Sequence, residues 1–298
     1  METRGHLLTE QINPNSANLD QLSALEIVEV FNQEDAKTIT AIAQVREELA
    51  AAIERTTAAL RQGGRLFYIG AGTSGRLGVL DAVECPPTFC TPPELVQGIL
   101  AGGAPALLRS SEGLEDRADD GAAVIAEYGI SDRDVLVGIA AGGTTPYVHG
   151  AIAAARQQGA TTIFIACVPK EQVAIAVDVD IRLVVGPEIL AGSTRLKSGT
   201  VTKMALNILS TGTMVQLGKV YGNRMVDVAV TNTKLHDRAL RILSDLAGCD
   251  RDQAEQLLQQ SGKSVKLALM MHRTGWDKAT CEQRLGDHQG NLRRAMGG

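Results

Sequence analysis

Residues 65–84, RLFYIGAGTSGRLGVLDAVE, govern the reading of the whole chain. The apolar run at 66–69 is short and β-rich, the loop at 70–75 is made of Gly, Ala, Ser and Thr, and the residues after it recur with helical period. A strand that empties through glycines into a helix makes an anion site. The glycines admit close backbone approach, Thr73 and Ser74 offer hydroxyls, and the helix presents unpaired N–H groups and the positive end of its dipole. A phosphorylated ligand is the natural reading. Gly70, Gly72 and Gly75 also satisfy G-x-G-x-x-G, so a dinucleotide competes with a sugar phosphate, and a plain structural turn competes with both. Against the dinucleotide, the acidic residue that should end a second strand about 20 positions on is replaced by Cys90-Thr91-Pro92-Pro93, a poor strand end. No G-x-x-x-x-G-K-[ST] occurs, which excludes a P-loop.

Outward from this stretch, apolar runs at 95–100, 135–140, 161–166 and 181–185 alternate with helical patterns at 116–128, 146–158 and 172–177. The runs are continuous rather than alternating, as expected of strands covered on both faces. Such a β-α-β-α series predicts an α/β fold with a doubly wound five-stranded parallel sheet, right-handed crossovers and ligands bound beyond the carboxyl ends of the strands. Two more loops fall at that edge. AGGTTP at 141–146 has a proline suited to the first position of a helix, and GSTRLKSGT at 192–200 precedes an apolar helix at 201–217. Each alone also reads as a cap or turn; together they make an anion pocket the better explanation.

Before the sheet, residues 1–18 are polar, and Asn13-Pro14-Asn15-Ser16 predicts a turn or arm rather than packed structure. A helix follows with Leu22, Leu25, Ile27, Val28 and Phe31 at helical spacing, then a long second helix over about 34–62 that ends at Gly63-Gly64. After position 232 there are only helical patterns, at 234–246, 251–260, 264–271 and 277–285, with Trp276 as a packing anchor. The chain therefore divides into an N-terminal arm and helices (1–62), a sugar-phosphate-binding domain (63–231) and a C-terminal helical region (232–298).

Composition narrows the function. A chain of 298 residues with 44% hydrophobic and 21% charged residues can bury an ample core. Its formal charge of −5 offers no basic stripe for nucleic acid. No apolar run reaches the roughly 18 residues of a membrane span, and the first residues lack the apolar core of a signal peptide, so a cytoplasmic protein is expected. The five cysteines have no C-x-x-C spacing and the five histidines form no ligand set, which points to neither a disulfide framework nor a metal site.

Acids placed where loops leave the sheet are candidates for chemistry. Glu84 precedes Cys85-Pro86-Pro87, which should break the helix there, while Glu112 and Glu115 lie in SSEGLED at a loop-to-helix junction, where the helix dipole alone would favour them. GPEILAGSTRLKSGTVTK at 186–203 resembles the signature shared by bacterial N-acetylmuramic acid 6-phosphate etherases and the animal glucokinase regulatory protein. IGAGTSGRLGVLDAVECPPTF, SSEGLEDR, TEQINPNSANLD and the NxKL at 232–235 extend the resemblance to the etherases over nearly the whole chain.

The resemblance implies a sugar isomerase (SIS) fold with flavodoxin-like strand order, a small C-terminal module similar to ubiquitin-associated domains, and a homodimer. It implies a lyase of peptidoglycan recycling that cleaves the D-lactyl ether of N-acetylmuramate 6-phosphate with water, giving N-acetylglucosamine 6-phosphate and D-lactate. No metal or organic cofactor is needed. By the same resemblance Glu84 and Glu115 are the catalytic pair, Glu84 donating a proton to lactate and Glu115 removing the C2 proton. Such chemistry wants one carboxyl neutral while the other is charged. Thr73, Ser74, Thr144, Thr145 and Ser193 are the expected phosphate contacts, with Arg195 and Lys197 as candidate cations. The chain departs from the family at AGGTTPY, where ASGRTPY is usual, so Gly142 and Thr144 stand in place of a serine and an arginine. A non-catalytic sugar-phosphate sensor and an aldose-ketose isomerase are the alternatives, and neither releases D-lactate.

Overall fold

The computed structural model describes residues 4–109 and 112–297. Short 3₁₀ turns lead into helix α1 (Ala24–Asp35), which opens on a capping box in which the Ser23 and Glu26 side chains each satisfy the other's backbone N–H. Next come α2 (Lys37–Gln44) and α3 (Arg46–Arg61). The second helix expected over about 34–62 begins where α1 ends, at Ala36, but is interrupted at Val45, without glycine or proline. Val45 is buried, and its N–H bonds to the Ile42 carbonyl in a tightened last turn, so packing of a β-branched side chain, not a breaker residue, sets the bend.

The sheet follows: β1 (Leu66–Gly70), α4 (Gly72–Phe89), β2 (Val96–Leu100), α5 (Pro105–Leu108), α6 (Ala118–Glu127), β3 (Val135–Ile139), α7 (Pro146–Gln157), β4 (Thr161–Ala166), β5 (Val179–Arg182) and α8 (Lys197–Gln216). Its five strands are all parallel in the order β2-β1-β3-β4-β5, the doubly wound, flavodoxin-like arrangement expected. Every residue of β1 and β3 is buried, consistent with continuous apolar strands covered on both faces. Because β1 pairs with β2 on one side and β3 on the other, the strand order reverses between β1 and β3. A ligand crevice is expected at their carboxyl ends.

Two local expectations fail. Residues 172–177 are turn and extended chain rather than helix. Val173, Ile175 and Val177 pack against the core while Ala174 and Ala176 face out, a period of two that leads straight into β5. Helix α4 also does not break before Pro86-Pro87 but runs through both to Phe89. Proline removes a ladder donor and bends a helix, yet here the ladder resumes at once, with the Cys90 N–H bonded to the Pro86 carbonyl at 2.9 Å.

The N-terminal segment is packed, contrary to the expected arm. Leu7, Thr9, Asn13 and Ser16 are all buried. Asn13 Nδ2 donates to Glu34 Oε2 and to the Pro187 carbonyl, and Ser16 Oγ donates to the Ile189 carbonyl. Polar side chains here satisfy buried backbone, so their polarity does not mean solvent.

The chain forms two compact units, Met1–Val83 with Glu94–Ser210, and Glu84–Pro93 with Thr211–Gly298. The second carries α9 (Thr233–Ala247), α10 (Arg251–Gln260), α11 (Val265–Thr274), α12 (Lys278–Asp287) and α13 (Leu292–Ala295). Its own core gathers Leu240, Leu243, Leu258, Leu269 and Met270, with Trp276 half-buried against it and the Arg284 guanidinium over its ring. Among the described residues, no helix is long and apolar enough to cross a membrane.

Candidate active site

At the end of β1 the chain turns so tightly that glycine is required twice. A Cβ on Gly70 would lie 2.7 Å from the Gly75 nitrogen, and one on Gly75 would lie 2.4 Å from the Gly70 carbonyl oxygen. That closeness places Thr73 and Ser74, both half-buried, in the first turn of α4 at the carboxyl edge of the sheet. The start of α8 comes up beside them, since a Cβ on Gly199 would be 3.6 Å from Thr73 Cγ2. The loops after β1 and before α8 therefore meet, as expected.

The N-terminus of α8, however, is already satisfied. Glu188 is fully buried, and its two carboxylate oxygens accept the Lys197 and Ser198 N–H groups at 3.0 and 2.9 Å. The dipole that could have held a phosphate holds this carboxylate instead. Lys197 is a second correction: it is fully buried, and its Nζ donates to Glu34 Oε2 at 2.5 Å, so it is a structural charge and not a phosphate contact. Ser193, half-buried, and Arg195, exposed, remain as the groups of this loop that face outward.

Glu34 is held by four donors, Asn13, Asn15, Lys37 and Lys197. Burial pushes its carboxyl upward, but the hydrogen bonds from Asn15, Lys197, Lys37 and Asn13 outweigh burial and hold it down at about 2.

After β3 the loop carries Thr144 and Thr145, both half-buried, into α7. His149 Nε2 lies 2.6 Å from the Gly143 carbonyl, which can only accept, so that nitrogen bears the hydrogen. The Tyr147 N–H donates to the Glu115 carbonyl at 3.0 Å, which fastens the half-buried Glu115 beside the threonines. One expected acid is thus brought to the second hydroxyl loop. Ser110 and Ser111 of the same motif lie outside the described residues.

Glu84 is exposed on α4. One turn earlier, Asp81 anchors that helix: it is buried and accepts from Tyr68 Oη at 2.9 Å, Asn207 Nδ2 at 2.7 Å and Ser210 Oγ at 3.1 Å. Burial raises the Asp81 carboxyl above its ordinary range despite those three donors. Among the described residues, no group of three or more His, Cys, Asp or Glu side chains could hold a metal ion. The buried Cys167 thiol is pushed up to about 12 by burial, which leaves it protonated and inert.

Sequence reasoning missed the N-terminal contribution. Leu8 N–H donates to Gln172 Oε1, Gln172 Nε2 donates to the His6 carbonyl, and the Gly192 N–H donates to the Thr9 carbonyl. Residues 6–9 thereby tie the loops after β4 and β5 together along the edge where a ligand belongs.

Known proteins resemble this chain in sequence and in fold. The model of the glucokinase regulatory protein N-terminal SIS domain matches residues 48–156, and that of the C-terminal lid domain of glucokinase regulatory protein matches residues 222–284. N-acetylmuramic acid 6-phosphate etherase of Microcystis aeruginosa is 71% identical over 295 residues, covering 99% of this chain and 96% of that protein. Its namesake from Trichormus variabilis is also 71% identical, over 296 residues and with the same coverage. Among solved structures, a candidate phosphosugar isomerase from Bacteroides fragilis, involved in capsule formation, superposes with a TM-score of 0.50 at 20% identity. It covers 67% of this chain and 95% of its own, and the likeness is one of fold.

Proposed function

Since the chain belongs to the N-acetylmuramic acid 6-phosphate etherase family, we propose that it cleaves the D-lactyl ether of N-acetylmuramate 6-phosphate with net addition of water, yielding N-acetylglucosamine 6-phosphate and D-lactate. The 6-phosphate is gripped by hydroxyls and N–H groups at the carboxyl edge of the sheet, from Thr73 and Ser74 after β1, Thr144 and Thr145 after β3, and Ser193 before α8.

In the open-chain sugar the C1 aldehyde acidifies the C2 proton. Glu115 takes that proton, electrons move into a C2–C3 double bond, and the C3–O bond to lactate breaks. Lactate would leave as a poor alkoxide, so Glu84 protonates its oxygen. Water then adds at C3 while Glu84, now the carboxylate, accepts a proton from it, and C2 is reprotonated from Glu115. Both acids return to their starting forms.

The observation that supports the role of Glu115 is the bond between Tyr147 N–H and the Glu115 carbonyl, which holds the main chain at 115 against the start of α7, next to the loop bearing Thr144 and Thr145. The enzyme works as a cytoplasmic homodimer in peptidoglycan recycling, without a cofactor. Exposed apolar side chains on α1 and α2, the first two of the three helices that precede the sheet, support the dimer. Incubation with N-acetylmuramate 6-phosphate and enzymatic assay of D-lactate is the test. Isomerised sugar without lactate would replace the etherase by an aldose-ketose isomerase, and binding without any turnover would leave a sensor.

A further inference from the structure

Thr9 is fully buried, and its hydroxyl has no hydrogen-bond partner among the described residues. Buried polar atoms in that state cost stability, and each calls for a reason. The other orphaned hydroxyls on threonine lie inside helices α3 and α8 or in the irregular stretch at Thr91. Thr9 instead sits between two loops of the candidate site. Its carbonyl accepts the Gly192 N–H at 3.2 Å, on the loop before α8. Its Oγ1 lies 3.6 Å from where a Cβ on Gly142 would stand, on the loop after β3, and among the described residues nothing else beyond the chain neighbours of Gly142 comes within 4 Å of that point.

We infer that Thr9 is a positioning residue of the sugar-phosphate site, setting the spacing between the loop that bears Thr144 and the loop that bears Ser193, and that glycine at 142 leaves this hold one hydrogen bond short. Its kinetic consequence rests on the function proposed above.

Geometry supports both halves. Gly142 does not use a positive φ, so an L side chain is unstrained there. The distance of 3.6 Å from its Cβ to Thr9 Oγ1 is ordinary van der Waals contact. A serine hydroxyl there would stand one covalent bond from that Cβ, so a rotamer turned toward Thr9 Oγ1 would bring it within hydrogen-bonding range. Thr9 itself cannot drift, because Leu8 N–H is held by Gln172 at 3.0 Å and Gly192 N–H is held by its own carbonyl. A bond to residue 142 would therefore be transmitted to the loop, not absorbed by the N-terminal segment.

The test is a double-mutant cycle on the full chain: wild type, Gly142→Ser, Thr9→Val and the double variant, with Thr9→Ala beside them. KM and kcat are read from D-lactate release, and the thermal midpoint is read without ligand. Gly142→Ser should lower KM about five-fold, the equivalent of one net hydrogen bond, with kcat within two-fold, and should raise the midpoint. Thr9→Val, which keeps the shape and removes only an unpaired hydroxyl, should leave the midpoint unchanged or higher and erase the gain from Gly142→Ser. Thr9→Ala should raise KM several-fold and spare kcat. Equal gains from Gly142→Ser in both backgrounds would overturn the inference, as would a Thr9→Ala variant whose midpoint falls while KM stays within two-fold. If wild type releases no D-lactate, the etherase reading fails by itself, and the midpoints of the cycle still decide the coupling.

Discussion

Two carboxylates with different duties can be separated residue by residue. Removal of the C2 proton needs only the base, while loss of lactate needs the acid as well. Glu84→Gln should therefore lower kcat by about 10³-fold, within the range of a general acid, yet continue to exchange the C2 hydrogen of the sugar for deuterium in heavy water. Glu115→Gln should lose both reactions. Mass spectrometry of the recovered sugar and assay of D-lactate measure the two side by side. If Glu84→Gln abolishes exchange and Glu115→Gln does not, the roles are reversed. Both side chains lie away from the core, Glu84 exposed and Glu115 half-buried, so neither change should unfold the protein.

Between elements, the telling contact is the ion pair of Glu34 and Lys197, with side chains 2% and 0% exposed. Glu34 stands in the last turn of α1 and Lys197 at the first residue of α8. Each charge is at the end of its helix that the dipole disfavours. Local rules cannot place them; only their meeting across 163 positions of sequence explains both. With a folded value of about 2 against an ordinary 4.5, Glu34 contributes about 3 kcal/mol of stability. The folded value is the lower one, so this contribution is complete above about pH 4.5 and disappears as pH falls toward 2. Acid unfolding followed by circular dichroism should show Glu34→Gln less stable at pH 7 and with a flatter acid limb over that window. Lys197→Met should cost about 1.5–3 kcal/mol, the loss of one charged donor while Lys37, Asn13 and Asn15 still hold the carboxylate, and the double variant less than the sum. Additive losses would show that the two do not act as a pair.

The same contrast explains what could be read from sequence. The five strands and the loops carrying Thr73, Ser74, Thr144 and Thr145 follow from apolar runs and glycine placement, which are local signals, whereas the strand order comes only from the family resemblance. The packed N-terminal segment was illegible because Thr9, Asn13 and Ser16 are polar residues whose partners, Gly192, Pro187 and Ile189, lie more than 170 positions away. The run at 172–177 misled in another way: six residues are too few to tell a period of two from one of 3.6 when alanines fill the alternate places.

At the scale of the molecule, the first unit leaves large apolar side chains uncovered where a monomer would have no use for them. Leu25 and Val28 on α1 are 68% and 63% exposed, and Ile39 on α2 is 64% exposed. Each has polar or charged neighbours in sequence that could have taken its place at no loss to the core, and burying three such side chains against a second copy is favourable by about 1.5–3 kcal/mol apiece. Sedimentation velocity should accordingly find the protein at twice its 31.5 kDa. Changing Leu25 and Val28 together to glutamate should shift it to the monomer, because two desolvated carboxylates at an isologous contact meet their own copies across the two-fold axis. Glu34 and its partners belong to the same first unit, so circular dichroism of the variant checks that the helices survive. A folded variant that still sediments as a dimer would move the contact elsewhere on the molecule.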